Sequence, residues 1–157
     1  MPSIQPRPAF LLAQIGAHAA RRFAERVAVL GVAPSDIGVL RMILTNPGRS
    51  QQSLAEELGV VPSRVVALLD ALEGKGLVER RRNPADRRNY ALHLTEEGAR
   101  VMAAVWELGA AHEDELLAAL DSEQRAQLTT LLEAVAVHQG LTAGVHPGYQ
   151  GPPRGGG

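Results

Sequence analysis

The sequence has no cysteine among its 157 residues. Disulfides, thiolate nucleophiles, cysteine-liganded zinc and thiol redox sensing are therefore all excluded. Aromatic side chains are nearly as scarce. Phe10, Phe23, Tyr90, Trp106 and Tyr149 are the whole set, so any core must be built mainly from Leu, Val and Ala. No apolar run approaches the roughly 20 residues that span a bilayer. The chain has no internal repeat, no glycine-rich phosphate loop, no Gly-x-Ser-x-Gly and no His-Glu-x-x-His, so the common sequence grounds for an enzyme are missing. What is present is ordinary for one globular domain: 45% hydrophobic and 21% charged residues, enough to bury a core.

The net charge of −1 conceals a strong asymmetry. Residues 59–95 hold seven basic and four acidic side chains, whereas residues 96–139 hold two basic and nine acidic ones. A positive middle beside an acidic end gives the molecule a directed electrostatic face, and a neutral total does not exclude an anionic partner. Arg7 followed by the uncharged stretch to Ala20, with Ala17-His18-Ala19 inside it, imitates a secretory leader. Gln14 and His18 interrupt it, however, and Leu11, Ile15, Ala19, Phe23 and Val27 recur every fourth residue straight through Arg21 and Arg22. That stripe belongs to an amphipathic helix, and the expected location is the cytoplasm, away from membranes.

Punctuation divides the rest. A first helix is expected from about Ala9 to Leu30, stopped by Gly31. A second starts at Pro34 and is stopped by Asn46-Pro47-Gly48. Ser50 caps a short third helix over Gln51 to Leu58, Gly59 makes the turn, and Pro62 opens a fourth that runs to about Glu73. Period 3.6 then gives way to period 2: residues 77–82 and 89–94 read as two strands joined by Asn83-Pro84-Ala85-Asp86. Thr95 caps a long fifth helix to about Leu120. Asp121-Ser122 opens a sixth with Leu128, Leu131, Leu132 and Val135 on its buried side. Residues 140–157, rich in Gly and Pro, are expected to be a disordered tail.

Helix, tight turn, helix and two-stranded hairpin is the order of a winged helix-turn-helix, so the fold class is mainly α with a small β wing. Residues 34–95 form that lobe, while 9–31 and 96–139 supply helices outside it. In the fourth helix Val65, Leu68, Leu69 and Leu72 form the inward stripe. Ser63, Arg64, Val66 and Ala67 form an outward first turn suited to a major groove, with Arg64 able to bond guanine O6 and N7 together. The hairpin carries five arginines between Arg80 and Arg88 against one acid, Asp86. Such a one-sign cluster repels itself unless an anion sits there, and duplex DNA phosphate and the negative minor groove are the fitting partner. Arg81, Arg82, Arg87 and Arg88 are the candidate wing contacts, with Asp86 orienting one of them. A second reading of the same residues is a winged-helix adaptor that binds protein or nucleic acid without sequence preference.

Leu54-Ala55-Glu56-Glu57-Leu58-Gly59-Val60, the stretch from Leu72 to Arg80, and Asp86-Arg87-Arg88 running on to Leu94-Thr95-Glu96-Glu97-Gly98 resemble the MarR family of transcriptional regulators over about residues 9–139. The resemblance implies a homodimer packed through its first, fifth and sixth helices, acting as a ligand-responsive repressor on a pseudo-palindromic operator. By it, Arg88 matches the wing arginine that enters the minor groove and Asp86 its positioning carboxylate. Val61, Val66 and Ala67 stand where members often carry hydroxyl or charged residues, so Arg64 takes a larger share of base readout here. The resemblance also implies a crevice for a small aromatic or anionic effector, for which His18, Arg22, Arg41 and Trp106 are the candidates. His112 and Glu115, three apart, could face one metal, but the pair reads more simply as a solvated helix face. No cofactor and no catalytic residue are read from the sequence.

Overall fold

The computed structural model describes residues 5–145, with the backbone alone for Arg87 and Arg88. The order is α1 (Pro8–Ala28), α2 (Pro34–Thr45), α3 (Gln51–Leu58), α4 (Pro62–Gly74), β1 (Val78–Asn83), β2 (Asp86–Leu94), α5 (Glu96–Leu116) and α6 (Ser122–His138). Each boundary has a local cause. The Asp36 carboxylate accepts from the Ala33 amide at 2.9 Å and from Lys75 Nζ at 3.0 Å, which fixes the start of α2 to the end of α4. Ser50 Oγ accepts from the Ser53 amide at 3.0 Å, and α3 ends on Gly59 in the left-handed region at φ +68°. Asp121 and Gln124 cap α6 reciprocally at 2.8 and 3.0 Å.

The core lies inside the lobe. Leu40, Ile43, Leu54, Val65, Leu69, Leu72 and Leu92 are fully buried, and Val101, Met102 and Val105 extend that cluster along α5. Each such aliphatic side chain contributes about 1.5–3 kcal/mol through burial. The wing is antiparallel, running from Val78 opposite Leu94 to Arg82 opposite Tyr90, and then Asn83 pairs with Asp86. The slip leaves residues 87–89 outside the ladder as a bulge in β2. A third segment joins the sheet: the Gly48 amide donates to the Leu92 carbonyl at 2.7 Å and the Leu92 amide to the Arg49 carbonyl at 2.9 Å. Arg49 is itself buried, its Nη2 donating to Ser53 Oγ at 2.8 Å and to Glu57 at 2.5 Å. The helix-turn-helix and the wing are thus hydrogen-bonded into one unit.

The junction from wing to α5 explains the spacing of Leu94-Thr95-Glu96-Glu97-Gly98. Thr95 Oγ1 accepts from the Gly98 amide at 3.0 Å and donates to the Gly76 carbonyl at 2.6 Å. Gly98 then lies so close to Leu77 that a Cβ there would overlap the Leu77 carbonyl oxygen.

Several expectations are corrected. β2 starts at Asp86 rather than at 89, because the bulge lets the chain turn within Pro84-Ala85. The fifth helix stops at Leu116, about four residues early, where Leu117–Leu120 form a turn into the Asp121 cap. The sixth helix has no buried residue at all: Leu131 is 65% exposed, and Leu132 and Val135 are also open. In α1 only Val27 is buried, while Phe10 is 62% and Ile15 50% exposed. Phe23 and Val27, toward the end of the α1 stripe, pack on the core, while Phe10 and Ile15 of α1 and the apolar side of α6 stay open among the described residues. Residues 140–145, assigned to a disordered tail, fold back onto the lobe instead, and 146–157 lie outside the described residues. Among the described residues, no helix is long and apolar enough to cross a membrane.

Candidate nucleic-acid interface and adjoining cavity

Helix α4 buries Val65, Leu69 and Leu72, with Leu68 half-buried, so its opposite side is open. Ser63, Arg64, Val66 and Ala67 are exposed in its first turns. Its N-terminus has Val61 before it and no side-chain cap, and the Arg64 amide donates to the Val61 carbonyl at 3.0 Å.

The wing's arginines divide into two sets. Arg80, half-buried on β1, lies along one stripe of α4: its Nη2 donates to Asp70 Oδ1 at 2.5 Å and to the Val66 carbonyl at 3.4 Å, while its Nε is 3.3 Å from Glu73. Arg81 Nε donates to Glu79 at 2.7 Å. Of the five arginines counted in the hairpin, these two are therefore partly neutralised by their own chain. Arg82 is exposed on the outer part of β1. Asp86 accepts from Asn89 Nδ2 at 2.8 Å across the bulge. The side chains of Arg87 and Arg88 lie outside the described residues, and their backbone belongs to the bulge that leaves the ladder.

Beside α2, residues of α1, α2 and α5 line an open cavity of about 340 Å³. Phe23, Ile37, Met102, Val105 and Trp106 make its wall apolar, Arg41 contributes the one charged side chain, and Gly144 and Val145 complete it. Beside it, the His112 ring sits 5.5 Å from that of Phe23. Burial holds the His112 pKa below its ordinary value, the Arg26 and Arg22 guanidinium groups add to that, and Glu113 opposes it.

Comparison with known proteins settles what kind of molecule this is. The family model described as the MarR family matches residues 30–89. A Thauera aromatica protein named as a transcriptional regulator for the hcr operon is 36% identical over 114 residues, which is 72% of this chain and 69% of that one. The chain belongs to the MarR family. Its fold agrees: the repressor CouR, solved bound to a 23-mer DNA duplex, is 36% identical with a TM-score of 0.73 over 83% of this chain and 92% of that one. A mutant of Escherichia coli MarR complexed with operator DNA is 28% identical with a TM-score of 0.69, covering 80% of this chain and 90% of that one. As a MarR-family winged-helix protein, this chain is a DNA-binding transcriptional regulator and not an enzyme.

Within this MarR-family frame, the structure brings Ser63, Arg64, Val66 and Ala67 together on one open surface. Of the effector candidates, Arg41 and Trp106 line the cavity. His18 and Arg22 do not. Arg22 Nη2 donates to Glu115 at 3.2 Å, and His18 lies 3.4 Å from Arg21 on the same helix. Glu115 is also paired with Arg26. Among the described residues, no group of three His, Asp or Glu that could hold a metal ion occurs. Sequence reasoning missed three contributors. Arg80 entered only the count of the one-sign cluster and not the candidate contacts, Arg49 was not singled out, and Gly144 and Val145 fell within the expected disordered tail. Asp70 and Glu73, four and seven residues after Val66, were the legible hint of a cation binding along α4.

Proposed function

We propose that this protein is a homodimeric, ligand-responsive repressor that binds a pseudo-palindromic operator. The observation that carries the reading is the coupling of the open first turns of α4 to the arginine-bearing wing through Arg80. Two elements that fit adjacent grooves are held at one fixed angle, as a groove-reading unit requires. On this reading Ser63, Arg64, Val66 and Ala67 face base edges. Arg81, Arg82, Arg87 and Arg88 serve phosphate and the minor groove, and Asp86 orients the wing. The solved relatives bound to DNA support the partner.

The exposed stripes of α1 and α6 support the dimer. Apolar surface on two long helices of one small chain is costly in water, and a second copy packed on it would bury both at once. Two lobes would then present recognition helices about one helical turn (~34 Å) apart. The cavity under α2, mainly apolar with Arg41 at its rim, supports a small aromatic or anionic effector.

Selection of random duplex DNA on the purified protein tests the reading, followed by binding of the winner and a scrambled duplex across a salt series. An inverted repeat with half-sites about one turn apart is expected, its affinity falling steeply with salt. Weak, salt-sensitive binding to every sequence, with none enriched, would overturn it.

A further inference from the structure

The open surface of α4 is partly apolar at the place where a groove-reading helix meets base edges. Val66, in the second turn, is 38% exposed, whereas its neighbour Val65 is fully buried. Ala67 beside it is exposed as well, and neither residue belongs to the core cluster. A single exposed valine is ordinary on a protein surface. The position of this one makes it informative.

Residues two apart on a helix lie about 200° apart around its axis. Arg64 and Val66 therefore occupy opposite flanks of the face that carries Ser63 and Ala67. Val66 is on the flank toward the wing, in one stripe with Asp70 and Glu73. Arg80 of β1 runs along that stripe: its Nη2 donates to the Val66 carbonyl at 3.4 Å and to Asp70 Oδ1 at 2.5 Å, and its Nε is 3.3 Å from Glu73. An aspartate in a groove could accept from a cytosine amino group, but Asp70 is engaged by Arg80.

On this flank Val66 thus presents an isopropyl group, with no donor and no acceptor. Pressed against guanine O6 or N7, or against the amino group of adenine or cytosine, it would strip water from a polar atom and return no hydrogen bond. The 5-methyl of thymine is the one methyl group that a base pair shows in the major groove.

We propose that Val66, with the Ala67 methyl beside it, reads the 5-methyl group of a thymine in each operator half-site, at a base pair different from the one that Arg64 reads. The inference rests on the operator-binding reading above and adds a chemistry to it: apolar contact on the wing-side flank, hydrogen bonding on the other. Such a contact selects by exclusion as well as by attraction, since a wrong base sets a polar edge against the valine. It involves no charge, so its share of the specificity does not change with salt, unlike the phosphate contacts.

The test uses the duplex enriched by the selection described above, with each thymine of one half-site replaced in turn by deoxyuridine. That change removes the 5-methyl and keeps the base pairing and the O4 acceptor. Fluorescence anisotropy of the labelled duplex measures binding by wild type and by Val66→Ala, a change outside the core to a stronger helix former. In wild type, one thymine should lose about fourfold in affinity with its methyl, by a ratio that is constant across the salt series. In Val66→Ala the loss at that thymine should shrink to under about twofold, because the apolar area that covered the methyl is gone. An enriched operator in which no deoxyuridine weakens binding, or in which the loss is the same in Val66→Ala, overturns the methyl contact and leaves the operator-binding reading standing. Failure of any sequence to be enriched overturns that reading and the methyl contact with it.

Discussion

Gly98 shows how a single missing side chain can decide where a helix sits. Its Cα faces the Leu77 carbonyl with no room for a Cβ, and Thr95 ties the same turn to Gly76. Gly98→Ala should destabilise the fold by about 1–3 kcal/mol, as overpacking against an unyielding backbone does, and urea unfolding would measure it. His112 makes a different kind of test. Its folded pKa lies below the ordinary 6.5 because of burial and the nearby arginines. The unfolded chain is therefore protonated first as pH falls. Stability from the neutral ring is complete above about pH 6.5 and is lost as pH drops from there through the folded value. Thermal unfolding at about pH 7.5 and about pH 5.5 should show a larger loss of Tm in wild type than in His112→Gln. Arg64 and Arg88 should separate by readout. Arg64→Ala is expected to relax preference at one position per half-site, costing about 1–3 kcal/mol there, whereas Arg88→Ala should weaken binding to most sequences. Quantitative binding to a panel of single-base operator variants distinguishes the two, and equal loss on all DNA for both would refute the division.

Among the elements, the pairing of α4 with the wing matters more than either alone. Arg80→Ala should lower the affinity for the selected operator more than for scrambled DNA, because it loosens an angle rather than removing a phosphate contact. The salt slope should stay near that of wild type. A double-mutant cycle with Asp70→Ala should return a coupling of about 0.5–1 kcal/mol, since Asp70 is largely exposed. At this scale much of the fold was legible. α2 and α3 start and stop where Pro34, Ser50 and Gly59 require, because those residues act on their own backbone. Legibility ended where the cause lay in another element. The bulge in β2 depends on cross-strand register, and the inward pairing of Arg80 depends on a helix six residues upstream of it. The open turns of α4 could be read from its 3.6-residue period. Of the cavity, Arg41 and Trp106 came from the family resemblance, but the rest of its wall draws on α1, α2, α5 and a glycine-rich tail whose composition suggested no structure.

For the whole molecule, the uncovered faces of α1 and α6 set the clearest expectation. Leu131→Glu with Val135→Glu adds charge where the proposed second copy would pack, and neither residue is part of the core. Sedimentation should show the double variant as a monomer. Its affinity for the full inverted repeat should fall toward that for a single half-site, because the gain from joining two modest contacts disappears. A dimer that survives both changes would place the contact elsewhere. The burial pattern of these helices could not be read from periodicity, which marks an apolar side without saying whose surface covers it.

The weld at Thr95 and Gly98 has one more consequence. It makes α5 a stiff handle rising from the reading head, so the lobe cannot swivel independently of it. The 21 residues of α5 give an arm of about 30 Å. A tilt of about 5° at its far end would carry the head by about 3 Å, close to the length of one base-pair step. In the proposed dimer, each half-site keeps its lettering whatever happens in the cavity, and what changes is the distance between the two heads. The molecule would then act as a caliper: a ligand would alter the gauge rather than the alphabet.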